Sequence, residues 1–411
     1  SRQTPDCCII VDIYTFRYSH RQKVTHMRKH PVQFRKEDVQ EIMMRFKSSE
    51  SCSLVGVGSV GKSNLLHHLT DPDVHAYYLS EQRASKLITI VIDPNLLGPT
   101  DESSLQFKCW AGYELLMHRL FLALHPFDML GEDAKSFSNT YRKLQDGTNP
   151  LYAYMGLRYF ELGLEYFFRR NYQIVFLFDE FEELQQRVES GRLSPDIFTF
   201  LRNLMQHETK VDFVFSGTHK LEQLGAEYWS VLFNIAVYKP ITFLSNNEIR
   251  NLILEPIKDE SIEYDPFAIK RISHVAAGHP YFTQLILHEM ITYYNETERT
   301  YITPTDVDTV LGRIVERGEA HFKYIWAESS EEEQIVLRAF TELLVGAEAV
   351  NIKDLKKFLA ERGHQWDEKW DEALLSVQSR DIITSRTAKS ALYRFKVDLI
   401  RLWIDHTRPS L

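Results

Sequence analysis

At 411 residues, 44% hydrophobic and 26% charged, the chain is long enough for two or three domains with real cores, and its composition excludes a disordered polypeptide. The formal net charge of −9 argues against a surface that coats nucleic acid throughout, and no apolar run reaches the length that crosses a bilayer. Residues 1–30 lack the apolar core and cleavage site of a secretory signal, so the cytoplasm is the expected compartment, with no membrane partner.

Cys7, Cys8, Cys52 and Cys109 show no CxxC spacing and read as reduced thiols rather than a zinc site or disulfide framework. The N-terminal extension, 1–30, leads into a basic segment: Arg17, Arg21, Lys23, Arg28, Lys29, Arg35 and Lys36 occur between Ile13 and Lys36 without an acidic residue. Such a run is either a solvated arm or a contact for a polyanion or acidic partner.

From Ser53 onward, β-rich runs alternate with helical stretches, which predicts an α/β fold with a mainly parallel sheet flanked by helices over 31–244. The expected strands are Ser53 to Val57, Leu87 to Asp93, Gln173 to Phe178, Val211 to Ser216 and Ile235 to Ile241. Runs such as LITIVID and IVFLF are almost unbroken apolar stretches, as in strands covered on both faces. Between the second and third strands, Asn149 and Pro150 mark a helix start, and the aromatics that follow read as core. After Leu244 the pattern turns helical. A helical lid subdomain is expected over 245–329, with start signals at Asp265-Pro266 and Thr303-Pro304 and a stop at Gly278. A winged helix is expected over 330–411: a capping box at Ser330, helices over Asn351 to Arg362 and Asp367 to Ser379, a two-stranded wing, and a last helix through Trp403.

The run LVGVGSVGKSNLLHHL carries GxxxxGK[ST] between a strand and a helix, at Gly56, Val57, Gly58, Ser59, Val60, Gly61, Lys62 and Ser63. Glycines let successive N–H groups turn inward around phosphates, and the next helix points its positive end at the same charge. Lys62 is expected to reach the β and γ phosphates, and Ser63 to ligate Mg²⁺. Asn64, at the head of the following helix, completes the nucleotide-binding set.

NYQIVFLFDEFEEL ends a buried strand in Asp179-Glu180, at the sheet edge where ligands bind. Asp179 is expected to hold Mg²⁺ from a strand adjacent to the P-loop strand, and Glu180 to orient or deprotonate the attacking water. Glu182 and Glu183 read as solvent-facing or helix-N-terminal charges. The strand VDFVFSG delivers Ser216, Thr218 and His219 to the same edge. Thr218 is the first choice to sense the γ-phosphate and His219 the second, with helix capping or turn formation the competing role. Arg202 is either a surface charge or an arginine finger for a neighbouring subunit.

Together with HPVQFRKEDVQEI, ITFLSNNEIRNLILEPI, AAGHPYFTQLI and YRFKVDLIRLWI, these motifs resemble STAND and AAA-like ATPases, especially bacterial STAND proteins and the archaeal ATPase family. The resemblance implies ATP or ADP with Mg²⁺ as ligands. It also implies nucleotide contacts from Val32, Phe34 and Arg35 ahead of the P-loop, and from Pro280 beside His279 in the lid. Where the family commonly has Gly-Arg, this chain has Phe34-Arg35. The resemblance further implies a slow ATPase switch that controls a protein partner or effector and assembles as a homo-oligomer in its triphosphate state. The alternative is a DNA-associated AAA-like ATPase of the replication-initiator or transposition-regulator type. In the expected recognition helix, acids outnumber Lys369 and Arg380, which disfavours nucleic acid there, while the basic N-terminal segment keeps it open.

Overall fold

The apolar runs become a five-stranded parallel sheet in the computed structural model, which describes residues 30–96, 116, 119–120, 164, 167–218, 236–258, 260, 262–297, 299–385 and 392–408. The strands are β1 (Cys52–Val55), β2 (Leu87–Ile92), β3 (Gln173–Phe178), β4 (Val211–Gly217) and β5 (Val237–Pro240). They lie in the order β2-β3-β4-β1-β5, every pair parallel. This corrects one expectation: the acidic strand β3 is not the neighbour of the P-loop strand β1, because β4 is inserted between them. Register runs straight across, Ile92 opposite Phe178, Phe178 opposite Phe215, and Val55 opposite Gly217. All the strands therefore end along one edge. Phe176, Phe178, Phe213 and Phe215, two residues apart on neighbouring strands, stack with centroids 5.6–5.8 Å apart and stiffen the sheet beneath that edge.

Helices α1 (Lys36–Ser48), α2 (Lys62–His68), α3 (Pro72–Tyr78), α4 (Glu81–Ala84), α5 (Glu182–Glu189) and α6 (Asp196–His207) accompany this sheet. The helix after the P-loop starts at Lys62, two residues earlier than its amphipathic pattern suggests, because Gly61 in a left-handed conformation (φ 92°) acts as its N-cap. The sheet belongs to a compact unit over Val24–Thr242. The predicted helix start at Asn149-Pro150 lies outside the described residues, as do His219 and most of the basic N-terminal segment.

The unit beginning at Phe243 is helical. Helices α7 (Asn246–Leu254), α8 (Pro266–Ala276), α9 (Pro280–Thr297), α10 (Pro304–Arg317) and α11 (Ala320–Ala327) come first, with a short parallel bridge between β6 (Glu263–Tyr264) and β7 (Tyr301–Ile302). Asp265 caps α8 and Thr303 caps α10, each followed by proline at the first helical position, as the start signals require. Gly278 has φ 81°, and a Cβ there would lie 2.3 Å from the Leu244 carbonyl oxygen, so the stop needs glycine on two counts. Helices α12 (Glu331–Leu343), α13 (Ile352–Glu361), α14 (Glu368–Ser379) and α15 (Asp398–Thr407) follow, with β8 (Val350–Asn351), β9 (Ile383–Ser385) and β10 (Leu392–Phe395). The antiparallel sheet order β8-β10-β9 beside three helices is a winged helix with one strand more than the sequence pattern suggests. One apolar core runs from Leu244 to Ile404, through both the lid and the winged helix.

Candidate functional site

The P-loop connects β1 to α2 at the carboxyl edge of the sheet. Its backbone uses left-handed conformations at Ser59 (φ 59°) and Gly61 (φ 92°), which reverse the chain so that α2 starts against the loop. Gly56 is required by space: a Cβ would sit 2.4 Å from the Ile241 carbonyl oxygen and 3.0 Å from Val60 Cγ1. Gly58 faces open space. Lys62 is buried, and its Nζ donates to the carbonyls of Gly56 (2.7 Å) and Val57 (3.0 Å), folding the side chain back along the loop. Ser63 and Asn64 follow on the first turn of α2, half-buried.

The acids reach the same place from β3. Burial lowers the Lys62 pKa, and Glu182, then Asp179 and Glu180, oppose it, so three carboxylates act on this one ammonium. Lys62 follows β1 and Asp179 follows β3 at the same carboxyl edge of the sheet, with β4 between their strands. Asp179 is anchored at the strand end by its N–H to the Ile92 carbonyl (2.9 Å), and its Oδ1 accepts from the Glu180 N–H (3.2 Å). Glu180 takes a left-handed backbone conformation (φ 46°) and its Oε2 accepts from Asn95 Nδ2 at 2.9 Å. Burial raises the Glu180 pKa; Asn95 opposes this, and Asp179, Asp93 and Glu183 reinforce it. Among the described residues no group of three or more His, Cys, Asp or Glu side chains is placed to hold a metal ion, so Mg²⁺ would be held here by Ser63 and Asp179 only together with phosphate and water oxygens.

β4 brings Thr218 between these two arms. Its Oγ donates to Glu182 Oε1 at 3.1 Å, and its backbone N–H donates to the same oxygen. Glu182 does begin α5, as a helix-N-terminal charge would, but its carboxylate turns toward Thr218 rather than away to solvent. Sequence reasoning missed this role, and it missed Asn95 altogether. A signal for Asn95 did exist: it follows the end of β2 in the run DPN, at the edge where the other ligands were sought.

Of the residues ahead of the P-loop, Arg35 is buried and its guanidinium engages the loop itself. Nη2 donates to the carbonyls of Val60 (2.7 Å) and Thr242 (3.1 Å), and Nη1 to Asp38 (3.0 Å). Phe34 stacks on His30 (4.1 Å between centroids) and meets the edge of His68 on α2 (5.4 Å). Burial and the neighbouring His68 lower the His30 pKa to about 4, so this face is uncharged at neutral pH. The Val32 backbone hydrogen-bonds His68. Pro280 begins α9 in the helical unit, next to buried His279, whose ring packs against Phe243 and Phe282 (4.9 Å each). Arg202 is exposed on α6. Cys52 is a free thiol inside β1, and burial pushes its pKa up to about 12, which removes it as a nucleophile. Among the described residues no helix is long and apolar enough to cross a membrane.

The five-stranded parallel sheet with a GxxxxGK[ST] loop after β1, followed by the helical and winged-helix segments, is a fold shared with solved Walker-type and ORC structures. The chain is similar to the Walker-type ATPase PABY2304 of Pyrococcus abyssi, with 15% identity, a TM-score of 0.59, and 96% of this chain and 99% of that chain covered. It is also similar to the Aeropyrum pernix ORC2 protein solved in ADPNP–ADP complexes, with 12% identity, a TM-score of 0.56, and 96% and 97% covered. At these identities the likeness establishes the fold, and it extends over nearly the whole of each chain. No family model matches the sequence. No curated protein matches it either.

Proposed function

We propose that this protein is an ATP-hydrolysing P-loop ATPase that holds Mg²⁺ through Ser63 and Asp179. The observation that carries the reading is that the GxxxxGK[ST] loop after β1 and the Asp179-Glu180 pair after β3 lie at the same carboxyl edge of one parallel sheet. When nucleotide enters, the Lys62 ammonium exchanges two backbone carbonyls for phosphate oxygens, a stronger charge-assisted contact. The N–H groups of Gly56 to Ser63 cradle the phosphates, and Asn64 extends the contact on α2. Glu180 orients the attacking water, and Thr218 offers a hydroxyl and an amide to the γ-phosphate. Mg²⁺ held by Ser63 and Asp179 would neutralise charge on the phosphates. Val32, Phe34 and Arg35 form the wall on the base side, with Arg35 acting through the loop carbonyl it holds.

The finer reading we favour is a DNA-associated AAA-like ATPase. End-to-end likeness to the ORC2 protein favours it over a STAND switch. One observation keeps a protein-directed switch as the second reading: exposed Glu368, Asp371 and Glu372 dominate α14, the helix that would enter a major groove. The test is steady-state hydrolysis of ATP with and without Mg²⁺ and duplex DNA. Wild type should turn over only with the metal, Lys62→Ala should lose nucleotide binding, and Glu180→Gln should bind but hydrolyse at least about a hundredfold more slowly. Unchanged turnover in Glu180→Gln removes Glu180 from the mechanism. Duplex stimulation or salt-dependent duplex binding separates the two finer readings.

A further inference from the structure

The side chain that occupies Thr218 was not expected there, and its seat is built. Both donors of Thr218, the backbone N–H and the hydroxyl, point to a single oxygen, Glu182 Oε1. Space for that carboxylate exists because residue 217 is glycine. A Cβ on Gly217 would lie 2.3 and 2.5 Å from the two Glu182 carboxylate oxygens and 2.4 Å from the Phe181 ring. The backbone is fixed from the other side as well, since the Phe181 N–H donates to the Ser216 carbonyl (3.1 Å) and the Phe181 side chain is fully buried against Phe215. Lys62, the ammonium assigned to the phosphates, feels Glu182 ahead of Asp179 and Glu180. An anionic oxygen that accepts from an amide and a hydroxyl at this sheet edge is what a γ-phosphate oxygen would be in the same position.

We infer that Glu182 is a built-in stand-in for the γ-phosphate, holding the Thr218 donors until a nucleoside triphosphate displaces it. The inference rests on the assignment of this site to ATP, and it deepens that assignment by naming how the site tells triphosphate from diphosphate. A diphosphate lacks the γ oxygens and leaves the Glu182–Thr218 bonds in place. A triphosphate must break them and repel a carboxylate, so its binding is weakened selectively and the event is transmitted to α5, which Glu182 begins. Here Glu182 is a positioning residue rather than a catalytic one.

The test compares affinities of the full chain for Mg–ADP and for a non-hydrolysable Mg–ATP analogue, in wild type, Glu182→Gln and Glu182→Ala. The alanine variant should tighten the triphosphate analogue by about tenfold while ADP changes by less than about threefold, since one charge-assisted contact and its repulsion are removed from one ligand only. Glutamine keeps an acceptor for Thr218 but drops the charge, so its effect should fall between. In Thr218→Val the gain from Glu182→Ala should shrink, because the hydroxyl both anions compete for is gone. Circular dichroism and thermal melting of each variant confirm that it is folded, and the glutamine variant carries the test if alanine does not fold. Equal changes for the two nucleotides, or weaker triphosphate binding, overturn the inference while leaving the ATPase assignment standing. Absence of nucleotide binding by wild type overturns both.

Discussion

Asn95, just beyond β2, donates its side-chain amide to the Glu180 carboxylate at 2.9 Å. That bond ties the residue assigned to the attacking water to Asn95. Asn95 is itself fixed, its N–H donating to Asp93 Oδ1 at 2.9 Å. Release of Glu180 costs one hydrogen bond to a charged group, about 1.5–3 kcal/mol. Asn95→Ala should therefore raise basal ATP turnover by roughly ten- to a hundredfold with little change in KM. A fall in kcat would mean that the amide aligns Glu180 for chemistry instead of restraining it.

Arg35 ties the segment ahead of the P-loop to the loop's own carbonyl at Val60, and Asp38 joins it to Lys239 on β5 (3.1 Å). The guanidinium is 2% exposed, so the Val60 and Thr242 carbonyls would lose a buried partner without it, while Asp38 would keep Lys239. Arg35→Ala should cost about 3 kcal/mol in denaturant unfolding and weaken nucleotide binding through loss of loop order. Lysine has one ammonium in place of a fork and should recover only part of either effect. If Arg35→Ala melts like wild type and binds nucleotide equally well, the guanidinium does not organise the loop.

The strands and the P-loop were legible because their signals are local. LITIVI and QIVFLF are apolar on both faces, and Gly56 to Ser63 are consecutive. Strand order was not legible, since nothing in the run VDFVFSG says that β4 enters between β1 and β3. The contacts that shape the site were hidden for a related reason. Glu182 meets Thr218 across 36 positions and Asn95 meets Glu180 across 85, and neither partner announces the other in composition or spacing. Arg35 was picked out by resemblance as a nucleotide contact, while its hold on Val60 is a tertiary relation that only the fold supplies.

At the start of β4, Asp212 is 2% exposed and accepts from Gln173 Nε2 at 2.6 Å. Burial pushes its pKa up from 3.8 to about 6, with Gln173 opposing and Glu50 adding to the rise. The folded state therefore binds this proton more tightly than the unfolded chain. Its stabilising share is complete below about pH 4 and is lost as pH rises through 6. Asp212→Asn should remove that loss and raise stability at pH 7.5 by on the order of 2 kcal/mol, with little change at pH 4. Urea unfolding at the two pH values reads this directly. Equal shifts at both would assign the effect to packing.

The winged helix distributes charge unevenly between its two exposed helices. On α14, Glu368, Asp371 and Glu372 are exposed beside Lys369, while Arg380 just past its end is drawn into Glu333 and Ser329. On α13, Lys353, Lys356 and Lys357 are exposed, with Lys356 lying over Trp366 at 4.6 Å and Arg362 following the helix end. Phosphates would be repelled by the first surface and attracted by the second, so a duplex bound by this domain should lie against α13 rather than take α14 into its groove. Replacing Lys353, Lys356 and Lys357 by glutamate should then weaken duplex binding at least about tenfold at low salt and flatten its salt dependence. Replacing Glu368, Asp371 and Glu372 by glutamine should leave the salt slope unchanged, because those side chains release no counterions from DNA. If the α13 variant binds duplex like wild type and the α14 variant instead loses a protein partner, the winged helix is a protein-docking module and the switch reading takes precedence.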